Sequence, residues 1–386
     1  MKLDSSLQKL EIYDHFLTSE FNTQPLNVMD ILVDSKDRTW VVTAIDGLMQ
    51  YVPQNNSFVK YLHNRNLPSS PSGNNYRSIF QDDRDIIWLG TDFVGVNFFE
   101  PDKFLFKTIH PFPDRLDERA RGVARAITED KTGNLWMGNH DGVTRYDPIA
   151  KKYTTWRNES GKKPALYNNV VRSIHCDDED NIWIGTASGV NRYNARTRQM
   201  EFIPESNLPL AFYNSITQDS DGNIWFCGNL GSGLYWYSTG DRKYHSIFND
   251  PLLKPYAGVT PTSYVMQDSK GRLWISYSRL GVLMVNRQQQ KVTQYLASDT
   301  PGKSIIGNQV VDIKEDKTGV VWVTSFNGIT GIDVEKNRYL SFDNKNGLPG
   351  NWCASLAVDD QNRLWVGANG GLTMISADRK RLTRFS

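Results

Sequence analysis

The sequence predicts an all-β fold, a β-propeller built from eight four-stranded repeats of about 46 residues. Three observations carry this. Tryptophan recurs at Trp40, Trp88, Trp136, Trp183, Trp225, Trp274, Trp322 and Trp365, with steps of 48, 48, 47, 42, 49, 48 and 43 residues. A period in this range is that of propeller repeats. Six residues before each Trp stands Asp: Asp34, Asp82, Asp130, Asp177, Asp219, Asp268, Asp316 and Asp359. Three residues before it stands Gly, Asp or Asn: Asp37, Asp85, Gly133, Asp180, Gly222, Gly271, Gly319 and Asn362.

Each element follows from these positions. Nine residues before the Trp is always an aliphatic residue, from Ile31 to Leu356, and it marks a first strand that ends at the Asp. Asp side chains accept hydrogen bonds from the amides of their own turn. The residue at −3 is of a type that tolerates a left-handed backbone. The chain therefore turns and returns as a second strand, closing a β-hairpin. That strand is apolar on both sides of the Trp, as in Leu135-Trp136-Met137, Ile182-Trp183-Ile184 and Val321-Trp322-Val323. A continuous apolar run implies cover on both faces, as for a blade between two other blades. A buried Trp removes roughly 200 Å² from water, about 5 kcal/mol as an upper bound. Trp136, Asp130, Trp183, Asp177, Trp365 and Asp359 are accordingly assigned to structure.

A Gly then opens a third strand, as in Gly142 to Tyr146 and Gly189 to Tyr193, and a more polar fourth strand follows, as in Lys152 to Trp156. Four strands per repeat, repeated radially, make a propeller. The array covers residues 1–386. Leu10 to Phe16 resembles a fourth strand whose partners are missing, so the chain ends either overlap or derive from a longer array. The charged connection His110–Gly122 allows a different division, with 1–104 as the last blades of one propeller and 105–386 as most of a second.

Composition excludes several classes. Forty-four basic and 43 acidic residues leave a net charge of +1, which gives no electrostatic ground for nucleic acid or an anionic membrane as main partner. No apolar run approaches the ~20 residues of a membrane span, and residues 1–10 lack the apolar core of a signal peptide. Cys176, Cys227 and Cys353 read as small buried residues, with no metal-type Cys/His spacing. The six histidines, His15, His63, His110, His140, His175 and His245, join no nucleophile–base pattern, and neither G-x-S-x-G nor H-E-x-x-H occurs. Neither a cofactor nor a metal is expected.

The pattern D-x-x-G-x-(I/L)-W-(I/V)-G-T-x-x-G-(L/V)-x-x-Y, clearest at Asp130–Tyr146, Asp177–Tyr193 and Asp359–Ile375, resembles the two-component regulator propeller family. The resemblance spans essentially the whole chain. It implies a non-catalytic sensor propeller from the periplasmic or extracytoplasmic part of a bacterial receptor. Members often carry two seven-bladed propellers in tandem, and many respond to polysaccharide fragments. The expected partner is an oligosaccharide or other small polar ligand, with a homodimer formed through the parent receptor. This chain departs from the pattern in having eight repeats and in losing the Gly-Thr pair at Val42, Cys227, Ser276 and Thr324. A polysaccharide lyase and a protein-interaction scaffold are the alternative readings.

Ligand-binding residues are sought on the loops, where blades differ. Position −11 is Arg77, Arg125 and Arg172 in three successive repeats, a candidate rim for carboxylates or sulfates; salt bridges to neighbouring acids are the plainer role. Tyr76, Tyr213, Tyr264 and Trp352 could stack on sugars or pack loops. After the Trp strand come Asp92, His140, Asp141, Asn229, Arg279 and Asn327.

Overall fold

A computed structural model describes residues 11–15, 26–67, 69–92, 94–103, 107–109, 125–159, 165–228, 233–257, 262–277, 280–298 and 303–385. Among the described residues eight sheets appear, each built on a four-stranded antiparallel meander in chain order, and the last carries a fifth strand. They span 28–61, 76–109, 126–156, 171–202, 213–246, 262–295, 310–342 and 353–385, and are called blades 1 to 8. The fold is a β-propeller of eight four-stranded repeats. Two compact units are present, one of 1–62 with 268–386 and one of 63–267. The connection around 110–122 lies outside the described residues.

The Trp strand explains why the repeat folds. In all eight blades every residue of that strand is buried, for example Leu135–Asn139, Ile182–Thr186 and Leu364–Ala368. The eight tryptophans are 0 to 1 % exposed. Each core cluster joins one blade to the next. Trp136 and Val143 of blade 3 pack with Val171, Ile182, Ile184 and Tyr193 of blade 4. Trp183 of blade 4 packs with Tyr213, Ile216 and Phe226 of blade 5. A blade alone would leave its Trp face wet, so the repeats stabilise one another.

The turn before each Trp has one design throughout. The amide at −3 donates to the carbonyl of the Asp, as Gly133 does to Asp130 at 2.9 Å. The −3 residue has a positive φ in every blade, including the non-glycines Asp37 (58°), Asp85 (62°), Asp180 (66°) and Asn362 (60°). This is a type I turn closed by a left-handed residue. The Asp carboxylate accepts the amides at −4 and −2, for instance from Thr132 at 3.1 Å and Asn134 at 2.9 Å.

Its second oxygen does what the spacing did not reveal. It accepts the indole N–H of the Trp in all eight blades, at 2.7 to 2.9 Å. Each carboxylate also takes a side-chain donor. Position −2 supplies it as Arg38, Asn134, Asn181, Asn223, Arg272 and Arg363. Where −2 is aliphatic, an arginine from elsewhere substitutes. Arg84 reaches Asp82 at 3.1 Å, and Arg379 of blade 8 reaches Asp316 of blade 7 at 2.7 Å.

The turns are also stitched from blade to blade. The amide at −5 donates to a side chain of the following blade: Asp83 to Glu129, Lys131 to Asp180, Ser220 to Gln267, Ser269 to Glu315, and Lys317 to Asn362. Asp360 of blade 8 does the same to Asp37 of blade 1 at 2.8 Å. The two chain ends therefore meet inside one unit. There Trp365, Leu372 and Phe385 pack with Val28, Val41, Met49 and Tyr51, with Tyr51 edge-on to Trp365 at 4.7 Å.

The N-terminal segment differs from the expectation. Glu11–His15 is not the fourth strand of any blade. It pairs parallel with Arg381–Phe385 as a fifth strand on the last sheet. Blade 8 already owns four strands from its own repeat, so the segment can only extend the outer edge. Cys227 and Cys353 are buried and Cys176 is half-buried. Burial pushes the thiols of Cys176 and Cys353 up to about 12, so both stay protonated and inert.

Asp130→Ala should strand the Trp136 indole, two amides and the Asn134 side chain. Urea denaturation should show a loss of about 3 kcal/mol, and Asp130→Asn a smaller one. Burial alone would raise the carboxyls of Asp130 and Asp316, but the hydrogen bonds they accept outweigh it and hold both below the ordinary range. A depressed folded value means stability is complete above the unfolded pKa near ~4 and is lost as pH falls through the folded one. A stability–pH curve level above about pH 5 and falling below it is the expected result.

Candidate functional site on the loop edge of blades 2 to 4

The turn just described occupies one end of every sheet. The start of the first strand and the end of the second share the opposite end, as Tyr76 opposite Thr91 and Val171 opposite Thr186 show. Loops at that end carry none of the repeated turn chemistry and are free to vary.

Position −11 has a structural identity there. The ladder between first and second strands slips between Val28 and Asp30, Tyr76 and Ser78, Val171 and Ser173, Tyr213 and Ser215, Cys353 and Ser355, and within Val310 to Ile313. The skipped residue is the one at −11. A bulge leaves one residue unpaired and re-aims its side chain, and bulges concentrate beside functional sites. Arg77 and Arg172 stand on such bulges. Arg125 holds the same place in blade 3, where its amide donates to the Gly138 carbonyl at 2.9 Å.

The three arginines and His140 form one electrostatic cluster. Arg77 Nε meets Asp92 Oδ1 at 2.5 Å, with the Arg side chain 44 % and the Asp side chain 13 % exposed. Partial burial and the charges of Arg172 and Arg77 lower the Arg125 value, opposed by Asp92. Partial burial, Arg125 and Arg172 likewise lower His140. So the Asp92 carboxylate is paired with Arg77 and also acts on Arg125, while Arg172 adds its charge to Arg125 and His140. Arg172 lies 5.8 Å from the Phe212 ring centroid, and its Nε is buried without a hydrogen-bond partner among the described residues. A buried, unpaired donor costs about 1–3 kcal/mol, a cost that an incoming anion would remove.

The other candidates divide. Tyr213 is a correction. It is fully buried and its hydroxyl donates to the Pro209 carbonyl at 2.9 Å, so it packs the core and presents no face to a ligand. Tyr76 is the same, with its hydroxyl on Gly73 at 2.8 Å. Burial raises both phenols. Tyr264 is half-buried in blade 6. Asp141 is paired with Arg157 at 3.2 Å. Asn229 and Arg279 lie outside the described residues. Trp352 belongs to blade 8; it is 52 % exposed and lies 5.4 Å from Phe326 of blade 7. Phe212 and Phe326 escaped sequence reading because single loop aromatics carry no periodic signal.

Residues 70–93, 167–188 and 207–229 match the two component regulator propeller family. These stretches are similar to that family's repeat and fall in blades 2, 4 and 5. Comparison with curated protein sequences gave no match. Among solved structures the chain is similar to the extracellular domain of the putative one component system BT4673 from B. thetaiotaomicron. Identity is 16 % over 97 % of this chain and 53 % of that one, with a TM-score of 0.56. It is also similar to the computationally designed Ika8 protein, at 11 % identity over 95 % and 99 % with a TM-score of 0.61. A streptogramin B lyase gives 14 % over 77 % and 91 %, with a TM-score of 0.52. The chain spans about half the length of the BT4673 domain it matches. At these identities the likeness is one of fold. Fold alone does not carry the activity of any of these proteins over to this chain. No helix among the described residues is long and apolar enough to cross a membrane.

Arg172→Gln or Arg125→Gln removes a cation that holds His140 neutral. The His140 pKa should move up towards its ordinary value, read from the imidazole proton shifts in an NMR titration; an unmoved His140 would dissolve the cluster.

Proposed function

We propose that this propeller senses an acidic oligosaccharide, or another polar anion, at the loop edge of blades 2 to 4, as part of a receptor working outside the cytoplasm. The observation that supports this is the clustering of Arg77, Arg125 and Arg172, with Asp92 paired to Arg77 and the Arg172 Nε buried and without a hydrogen-bond partner among the described residues. Guanidinium forks pair with carboxylates and sulfates in a bidentate way. His140 beside them supplies a neutral hydrogen-bond partner at pH 7. The BT4673 neighbour is described as an extracellular domain, which supports the location. Signalling needs the ligand to prefer one arrangement of receptor subunits, for which a homodimer formed through the parent receptor is the simplest arrangement, because only differential affinity shifts an equilibrium.

Calorimetry against neutral, uronic and sulfated oligosaccharides tests this. A uronic or sulfated sugar should saturate the protein and be recovered unchanged, with affinity falling as salt rises. Arg125→Ala with Arg172→Ala should weaken it by roughly 30-fold or more, each lost charge-assisted contact costing about 1 kcal/mol or above. Equal, salt-independent affinity for neutral and acidic sugars would sink the reading.

A further inference from the structure

A second surface of a different chemistry lies in the other compact unit. Phe326 sits in the loop after the Trp strand of blade 7, and Trp352 precedes the first strand of blade 8. Their rings are 5.4 Å apart and tilted by 56°, and they are 43 % and 52 % exposed. Of the large apolar side chains that reach solvent among the described residues, these are the aromatic pair in mutual contact.

Both rings stand on fixed backbone. The Trp352 carbonyl accepts the Asn369 amide at 3.0 Å. Gly350 and Gly370 bring two loops so close that a Cβ on Gly370 would meet the Pro349 carbonyl carbon at 2.7 Å. On the other side the Ser325 hydroxyl accepts the Asn327 amide at 3.2 Å and donates to the Gly328 carbonyl at 3.0 Å. Neither ring has to be ordered when something binds, which removes a usual cost of association.

The surrounding chemistry selects the occupant. Three loops meet here, Ser325-Phe326-Asn327-Gly328, Pro349-Gly350-Asn351-Trp352 and Ala368-Asn369-Gly370-Gly371. None contains a charged residue, and each contributes an asparagine. Asn327 and Asn369 are exposed, while Asn351 is held by accepting the Asn344 amide at 2.9 Å. A side-chain amide offers two donors and an acceptor on one small group. Flat apolar rings fringed by amides fit a ligand with an apolar face and a hydroxyl edge, with the charged residues Asp343 and Lys345 on the loop behind Asn351. A protein hot spot would be expected to pair its aromatics with arginine and a wider apolar surround.

We propose that Trp352 and Phe326 form a stacking platform for an uncharged sugar ring, with Asn327 and Asn369 binding its hydroxyls. The platform shares no residue with the arginine cluster, and it would stand if that cluster bound nothing.

Trp352 supplies its own probe, because it is the exposed tryptophan: the eight repeat tryptophans are fully buried, Trp236 is 9 % exposed and Trp156 is half-buried. Acrylamide quenching of intrinsic fluorescence should be measured with uncharged hexasaccharides of gluco, manno, galacto and xylo configuration. At least one should shield the quenchable fraction. In calorimetry with that sugar, Trp352→Ala and Phe326→Ala should each weaken binding at least tenfold, Trp352→Phe should restore most of it, and Arg125→Ala should change nothing. An exposed ring contributes little to folding, so unchanged melting temperatures would confirm that the variants are intact. Failure of every sugar to shield Trp352, or affinity within twofold of the parent in Trp352→Ala, overturns the proposal. So does a concentration-dependent dimer in sedimentation that Trp352→Ala abolishes, since that would make the pair a protein contact.

Discussion

The bond from the Trp indole N–H to the Asp six residues earlier is the interaction on which the rest depends. It is made in all eight blades. A large ring buried between blades supplies apolar stabilisation, but it brings one polar N–H into the core, and an unpaired one would cost much of that gain. The carboxylate that satisfies it would itself be costly alone in a core. It is neutralised by two turn amides and by a side-chain donor at the same place. Blades 2 and 7 show how strict this requirement is. Both lack a polar residue at −2, and in both an arginine arrives from another position to complete the set.

That arrangement divides the labour of each sheet. The turn end is committed to holding the blade together and to stitching it to the next, through amides at −5 and acceptors across the blade boundary. Change there breaks several bonds together. The opposite end carries a smaller pattern, a Thr or Ser hydroxyl that closes the loop after the Trp strand in blades 1, 2, 4 and 7, and its residue at −11 bulges out of the ladder. Chemistry can therefore vary at −11 while the fold stays constant. The contents show this: arginine in blades 2, 3 and 4, but Met29, Val311 and Ala354 in blades 1, 7 and 8.

Much of this architecture was legible in the sequence because it is repeated. Eight copies made the Asp, the left-handed −3 residue and the Trp strand stand out, and the positive φ at Asp37, Asp85, Asp180 and Asn362 is what those residue types implied. The indole bond was not legible, since spacing alone does not say which carboxylate oxygen faces inward. The first strand of a five-stranded last sheet was misread because Leu10 to Phe16 has the composition of an outer strand, and composition does not distinguish parallel from antiparallel pairing. Site residues are single events. Arg77, Arg125 and Arg172 were visible because three neighbouring repeats share them. Tyr213 was read as a loop aromatic although its ring fills the core, and Phe326 was passed over although its ring is exposed. Only the packing of loops separates these two cases.

The unpaired state of the Arg172 Nε bears on how such a site is kept. A fold that completes every Asp carboxylate, at times by recruiting an arginine 63 residues away, has ample means to supply an acceptor for one more guanidinium. Arg77 received one in Asp92; the Arg172 Nε has none among the described residues, and its guanidinium lies near the face of Phe212, which answers its charge but not the N–H. A pairing acid beside Arg172 would add stability and would compete with any anion arriving from solvent. Leaving the donor open gives up a little folding free energy, and that is the feature on which the proposed anion site rests.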